Sequence, residues 1–439
     1  MNTTTITPNY LQSLLAGQPQ LVASPLAWLN ALRAEAVERV GVLTVPTLRD
    51  EEWRFTDIAP LTRLSFHPVS ETTRLQAADV ERFYIEEAAN RLVFVDGVYA
   101  PHLSSIPKDA GVIVTNLAAA TDRTVAAHTA AIELHLGRHA EFRDNVFAAL
   151  NTAFLHDAAL IIVPRNVAVA APVQLLFIAT QKEAASYPRC LLLAESGSAV
   201  TLIEDYVALQ EGAYFTNAVT EIALADNARV NHIRVQREGA QAFHLANCAV
   251  SLARASRYHS VSVALGARIS RYNLNTLQTA DGTECAVDGL ALIADNQLAD
   301  THTCIDHAQP HGMSRQLHKC IVGGSAHAVF NGKIMVRPGA QRTDSSQSNH
   351  NLLLSGRAHV DTKPQLEIFA DDVKCTHGAT VGQLDSEEVF YLRSRGLSEN
   401  VARNLLTYAF GAEIIERIPV ASLKRQLGQA VLEQTSIQP

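Results

Sequence analysis

Residues 158–384 carry one short strand pattern after another, with no helical period between them. Apolar and polar side chains alternate in runs such as residues 199–203 and 228–233, as in half-buried strands. Several runs follow a turn signal and a small residue, as at Gly197-Ser198-Ala199 and Gly324-Ser325-Ala326. The stretch is too long for one sandwich and lacks the crossover helices of a doubly wound sheet. We predict a mainly β protein with a parallel β-helix core, and keep a barrel or a pair of sandwiches as the alternative.

Helical signals flank this region on both sides. Ser24 is the predicted N-cap of one helix, and residues 141–156 carry apolar side chains at every fourth position. After residue 384, Asp385 and Ser398 are the predicted N-caps of two amphipathic helices, and a third runs from about 420 to 433. The prediction is therefore three parts: a mainly helical N-terminal region (1–157), the β-helix core (158–384) and a C-terminal helical domain (385–439).

A helical tail on a β-helix has two interpretations. It can cover the last coil, whose edges would otherwise stay unpaired, or it can form a docking surface for a partner.

Composition excludes several classes. The 439 residues are 47% hydrophobic, enough for a large core, and a formal charge of -8 gives no surface for nucleic acid. Pro164 and Pro172 interrupt the most apolar stretch, so we expect no membrane span there. With no basic residue before Arg33 we expect no targeting segment, and six scattered cysteines suit a reducing compartment. We expect a cytoplasmic protein.

Histidine and cysteine concentrate between residues 302 and 377. Three pairs have the i, i+2 spacing that places both side chains on one face of a strand. These pairs are His302/Cys304, His318/Cys320 and Cys375/His377. Imidazole and thiolate are ligands for iron and zinc, but one pair supplies only two of the four ligands that a closed site needs. Each pair is therefore either a buried thiol beside a hydrogen-bonded histidine, or part of an open site shared between two subunits.

Motifs of common enzyme classes are missing. Residues 331–334 (Asn-Gly-Lys-Ile) lack the spacing and hydroxyl residue of a phosphate loop, so we expect no nucleotide on this chain. Asp371 and Asp372 are adjacent, and in a strand their side chains would point to opposite faces, so they could not act together as acid and base. We interpret them as a turn.

Several strings resemble the SufB/SufD family of iron-sulfur cluster assembly scaffolds, and the resemblance covers most of the chain. They are residues 51–56 (EEWRFT), Pro188-Arg189, residues 341–351, 363–368 (KPQLEI) and 371–380 (DDVKCTHGAT), and the tail from 396 to 418. Residues 374–380 are similar to the SufD branch, whereas SufB-type chains usually carry Cys-Glu-His-Glu-Ala-Thr there. An atypical SufB-type subunit is the alternative within the family.

The resemblance implies a right-handed parallel β-helix that pairs with a SufB-type paralogue and carries SufC-type ABC ATPases. It implies a non-catalytic scaffold on which a transient iron-sulfur cluster forms at the shared interface, with His377 as this chain's first candidate ligand and Cys375 as the second. It also leaves open a reduced flavin in the complex. The expected ATPase docking residues are Leu397, Val401, Leu405, Leu406, Ala409 and Phe410.

Two other function classes remain at this point. Many parallel β-helices are carbohydrate-active enzymes, although this chain lacks paired carboxylates at a suitable spacing. A metalloenzyme using the His/Cys-rich region would bind metal tightly without a partner. The exposed edge at residues 363–380 also predicts that the chain pairs with itself when its partner is absent.

Overall fold

The computed structural model describes residues 10–69, 72–107, 111–121 and 128–435. It is mainly β, with a parallel β-solenoid of about eight turns, as predicted. From residue 189 onward, successive strands alternate between two sheets and pair in parallel, so that each turn of the chain adds one strand to each sheet. The N-terminal part of each sheet also contains an antiparallel pair.

The strands of the first sheet include β4 (Ile113–Asn116), β5 (Ala159–Val163), β8 (Arg189–Ala194), β10 (Phe215–Leu224), β12 (Phe243–Leu252), β14 (Ile269–Gln278), β16 (Leu298–His307), β18 (His327–Val336) and β20 (His359–Ile368), with β1 (His67–Pro68) and β7 (Ala184–Ser186) at its side. Those of the second are β2 (Asn90–Val95), β3 (Val98–Tyr99), β6 (Val173–Ala179), β9 (Ala199–Ala208), β11 (Arg229–Arg237), β13 (Arg257–Ala264), β15 (Glu284–Ile293), β17 (Met313–Val322), β19 (Asp344–Leu353) and β21 (Lys374–Gly382).

The described α-helices are α1 (Tyr10–Leu15), α2 (Ala27–Val42), α3 (Ala59–Thr62), α4 (Ala77–Val80), α5 (Thr129–His135), α6 (Val146–Ala153), α7 (Ser386–Ser394), α8 (Glu399–Ile415) and α9 (Ala421–Thr435). Among them, none is long and apolar enough to cross a membrane. Asp385 and Ser398 are N-caps as predicted, each accepting a backbone N–H bond.

Ser24 is not the N-cap of α2, contrary to the prediction. Leu26 takes that position in an extended conformation, and the Ser24 hydroxyl accepts a bond from the Leu26 N–H at 3.2 Å. Because this local turn extends past Pro25, the helix begins only at Ala27.

One corner of the solenoid is a stack of left-handed residues. Asn227 (φ 60°), Ala255 (φ 52°) and His311 (φ 57°) occupy this corner in different coils. Each donates its N–H to a carbonyl of the next coil, as Asn227 does to Arg254 at 2.9 Å and Ala255 to Asp281 at 3.0 Å. The bonds between coils hold a conformation that costs these non-glycine residues about 1–2 kcal/mol each.

An apolar cluster fills part of the interior of the early coils, beside buried polar residues that include Glu204 and His232. Side chains from both sheets meet there in one buried cluster, including Leu192 and Ile222 from the first sheet and Leu202 and Val230 from the second. This matches the alternation of the strands, which points every second side chain inward.

The C-terminal helices pack on the outward face of the second sheet and do not cover the last coil. Ile414 and Leu423 belong to one buried cluster with Leu290, Leu292 and Ile321 of β15 and β17. The interpretation of these helices as a cap is therefore wrong. The leucine and isoleucine side chains on the outward face of this sheet do not reach the interior of the solenoid. The apolar side chains of the helices bury them from outside.

The N-terminal helices cover the first sheet in the same way. Leu150 of α6 and Leu32 of α2 share a buried cluster with Phe215, Phe243 and Leu245, on the outward side of β10 and β12. Helices thus cover the middle of both sheets from outside. The final strands are not covered in this way: most residues of β20 are half-buried and most residues of β21 are exposed.

Candidate functional site

Cys375 and His377 lie on β21 and face the inside of the last coil. They are paired in register with Ser345 and Gln347 of β19, both of which are 1% exposed. Residues paired in a parallel ladder share a face of the sheet, so Cys375 and His377 continue the interior rows of the preceding coil. Cys375 packs beside the buried cluster of Ile334, Val336 and Ala340.

Within the described residues this coil is open on its far side. β20 and β21 stand at the end of their sheets, each with a hydrogen-bonded strand on one edge. Cys375 is half-buried and His377 exposed, although both point inward. Burial raises the pKa of the Cys375 thiol, and the charge of Asp344 raises it further, so the free chain presents a protonated thiol at neutral pH. A metal ion is the kind of partner that would deprotonate it.

The interior behind this pair is polar. The amide of Gln347 donates to Gln316 Oε1 at 2.7 Å, and the hydroxyl of Thr362 donates to Asn349 Oδ1 at 2.7 Å. These bonds satisfy buried polar groups that would otherwise destabilise the core. They also place a hydrogen-bonded network directly behind the row that ends at His377.

His318 and Cys320, the second predicted pair, are interior core residues. His318 stacks on Phe330 with the ring centroids 4.8 Å apart, and both members of the pair are buried. Burial lowers the pKa of His318 to about 4 and raises that of Cys320 to about 12. A neutral imidazole and a protonated thiol enclosed in the core fit the structural interpretation of this pair.

His302 and Cys304, the third pair, point outward into a groove of about 650 Å³. His302 Nε2 lies 3.0 Å from Asp300 Oδ1 and its Nδ1 lies 3.2 Å from Glu52 Oε2. Burial opposes protonation of this imidazole, but Asp300 and Glu52 outweigh it and raise the pKa of His302. Burial raises the pKa of Cys304 to about 11. The histidine is therefore held by carboxylates and is not free to act with the thiol.

The string at residues 51–56 anchors the N-terminal region on this groove. The guanidinium of Arg271 lies 3.8 Å from the ring of Trp53, and the Thr56 hydroxyl donates to Asp300 Oδ2 at 2.5 Å. Arg271 Nη1 lies 2.5 Å from the same Asp300 oxygen. Sequence reasoning identified the string only by resemblance, because its partners are more than 200 positions away.

The predicted docking residues, Leu397 just before α8 and five residues on that helix, divide into two groups. Val401, Leu405 and Ala409 are exposed, whereas the others are half-buried. Phe410 is one of these, because the Lys319 ammonium lies 4.4 Å from its ring. The opposite side of the helix, which includes Ala402, is packed on the protein.

Two exposed aromatic residues precede α8 and were not predicted. Phe390 and Tyr391 of α7 are 70% and 56% exposed, and α7 packs on α8. We call Phe390, Tyr391, Val401 and Leu405 the C-terminal patch. Large exposed apolar side chains on two contacting helices are typical of a protein-binding surface.

Comparison with known proteins gives the following matches. The family model described as "SUF system FeS cluster assembly, SufBD core domain" matches residues 177–410, and "SufBD protein N-terminal region" matches residues 5–175. An iron-sulfur cluster assembly SufBD family protein of Synechocystis is 41% identical over 414 residues, covering 91% of this chain and 89% of the relative. The iron-sulfur cluster assembly protein SufD of Escherichia coli is 36% identical over 428 residues (94% and 97%), and that of Bacillus subtilis is 28% identical over 413 residues (91% and 92%).

Proposed function

The chain belongs to the SufBD family of iron-sulfur cluster assembly proteins, and from this premise we propose that it is the SufD-type, non-catalytic subunit of a cytoplasmic assembly scaffold. The observation that carries the proposal is the open last coil, which presents Cys375 and His377 at an unpaired edge of the solenoid. The relatives named SufD align with more than nine-tenths of the chain.

A nascent cluster would use this pair as an incomplete ligand set. Imidazole nitrogen and thiolate sulfur both bind iron, but two ligands do not complete a site. A SufB-type paralogue would add its own strands along β20 and β21 and supply the remaining ligands. Exposed strand edges favour such pairing, because their backbone N–H and C=O groups lack strand partners.

The C-terminal patch would bind a SufC-type ABC ATPase. Val401 and Leu405 lie on α8, which packs on the second sheet, and α7 packs on α8, so a force applied to the patch would reach the solenoid. ATP hydrolysis in the partner would draw two ATPases together, twist the paired β-helices and open their interface to iron and sulfide. In this scheme nucleotide binds to the ATPase, and a reduced flavin in the complex would supply electrons.

The ligand proposal is tested by His377→Ala in the purified complex. We expect the complex to assemble normally and to accumulate far less cluster on anaerobic reconstitution with iron and sulfide, measured by visible absorption and iron content. Thr376→Ala is the matched control, since Thr376 is an exposed neighbour on the opposite face of the same strand. Equal reconstitution of His377→Ala and the parent complex would contradict the assignment.

The docking proposal is tested separately by Leu405→Glu. Leu405 is 45% exposed, so the charge should leave the fold intact and abolish co-purification of the ATPase. Leu134→Glu is the control, because Leu134 is exposed on α5 in the N-terminal region. Retention of the ATPase by Leu405→Glu would place the docking surface elsewhere.

A further inference from the structure

Two histidines and an aspartate meet on the outward face of the first sheet. His327 begins β18 and His359 begins β20, and the two are paired in register. Asp361 follows His359 by two residues and so points to the same side. Asp361 Oδ2 lies 2.8 Å from His327 Nε2 and 3.2 Å from His359 Nε2. The candidate ligand atoms all lie within 4.8 Å of one another.

We propose that His327, His359 and Asp361 form a binding site for a divalent first-row transition-metal ion, of the class of Fe²⁺ and Zn²⁺. Two imidazoles and one carboxylate suit these borderline ions, whereas Mg²⁺ and Ca²⁺ prefer sites made of oxygen ligands. Three ligands on one side of an ion leave the remaining positions to water, so the ion can exchange. The site is separate from Cys375 and His377, which face the interior.

The strand ladder fixes the positions of all three ligands. His327 and Asp361 are about one-quarter exposed and His359 is 66% exposed, so an ion can reach the cluster from solvent. Along the same face, the residues in register with His327 and Asp361 on the preceding strands are Leu298 and Val329. These two neighbours are uncharged, and the next residue on the same face of β20, Lys363, is paired with Glu51 at 2.8 Å.

A bound ion would connect β18 to β20. Within the described residues β20 is the last strand of its sheet, and its backbone is held by β18 on one edge. A ligand that binds only the folded state stabilises that state, and here it would stabilise the pairing of β20 with β18. We therefore expect metal to slow amide hydrogen exchange in β20.

The test is titration of the full-length chain with Co²⁺, in which binding is monitored by the visible absorption of the bound ion. We expect one saturable site in the wild-type chain, and the same site in a Cys375→Ser/His377→Ala variant. His359→Gln and Asp361→Asn should each weaken binding by at least about tenfold, since even residues behind the ligands alter metal affinity by about 10–100-fold. His67→Gln, at an exposed histidine far along the chain, is the matched control.

Three outcomes would overturn the proposal: no saturable binding by the wild-type chain, equal affinity in His359→Gln, or loss of the site in the Cys375→Ser/His377→Ala variant. The last result would assign the ion to the open coil. Hydrogen exchange gives a second readout, in which Co²⁺ protects β20 in the wild-type chain but not in Asp361→Asn. Neither measurement depends on cluster formation, so failure here leaves the proposed function standing.

Discussion

His318 and Cys320 have the same spacing on a strand as Cys375 and His377, yet the two pairs differ in environment. The first pair is enclosed between β15 and β19, so burial keeps the imidazole neutral and the thiol protonated. The second pair stands on a terminal strand, where the interior is open and a partner can complete a ligand set. Position in the stack of coils, and not residue type or spacing, distinguishes the core pair from the candidate site.

The enclosed histidine predicts a pH-dependent stability. The pKa of His318 is about 4 in the folded chain and about 6.5 when unfolded, so only the unfolded state binds the proton between these values. The free energy of unfolding therefore falls as pH is lowered through this window, by roughly 2–3 kcal/mol at pH 4.5 from this residue. The test is urea unfolding of the wild-type chain and of His318→Asn at several pH values. The free energy of unfolding should change less with pH in the variant, and an equal change in both proteins would contradict the prediction.

At the scale of the element, the sequence predicted strands and helices well but not how they associate. Phe243 pairs with Ile269, 26 positions later, whereas His327 pairs with His359, 32 positions later. Because the coil length drifts, no fixed period is visible, and the contact between His327 and His359 could not be predicted. On α8, Val401 and Ala402 are similar in apolarity, and only the packing shows that the first is exposed and the second buried.

Close packing inside the strands predicts the effect of an added methyl group. A Cβ on Gly289 of β15 would lie 2.2 Å from His318 Nδ1, on a ring that is stacked against Phe330. Gly289→Ala should therefore lower the free energy of unfolding by about 1–3 kcal/mol. Gly378→Ala on β21 is the control, since a Cβ there meets nothing within 4 Å. If Gly289→Ala left the free energy of unfolding unchanged, the prediction would be contradicted, because the interior would have relaxed around the added methyl group.

At the scale of the whole molecule, the solenoid is covered unevenly. Helices shield the middle of the outward face of each sheet, and the last coil carries exposed apolar side chains. Phe369 is 63% exposed beyond the end of β20, and Val381 on β21 is 51% exposed. An unpaired strand edge bearing such side chains is a surface for association.

This asymmetry predicts that the chain self-associates when its partner is absent. We expect a concentration-dependent dimer in sedimentation velocity at micromolar concentration. Val381→Lys should shift the chain toward monomer, because a charge on an edge strand opposes pairing, and Leu134→Lys should not. Addition of the SufB-type partner should dissociate the homodimer, since the partner and the second copy would both bind along β20 and β21. A strict monomer of the wild-type chain would contradict the prediction.

The central claim is tested most directly by anaerobic affinity purification of the tagged chain from its own host, with partners and stoichiometry determined by mass spectrometry. The account predicts recovery of a longer SufB-type β-helix paralogue in one copy, together with two copies of a soluble ABC ATPase. Recovery of the chain without them, carrying tightly bound metal or an activity on sugars, would contradict its role as a scaffold subunit.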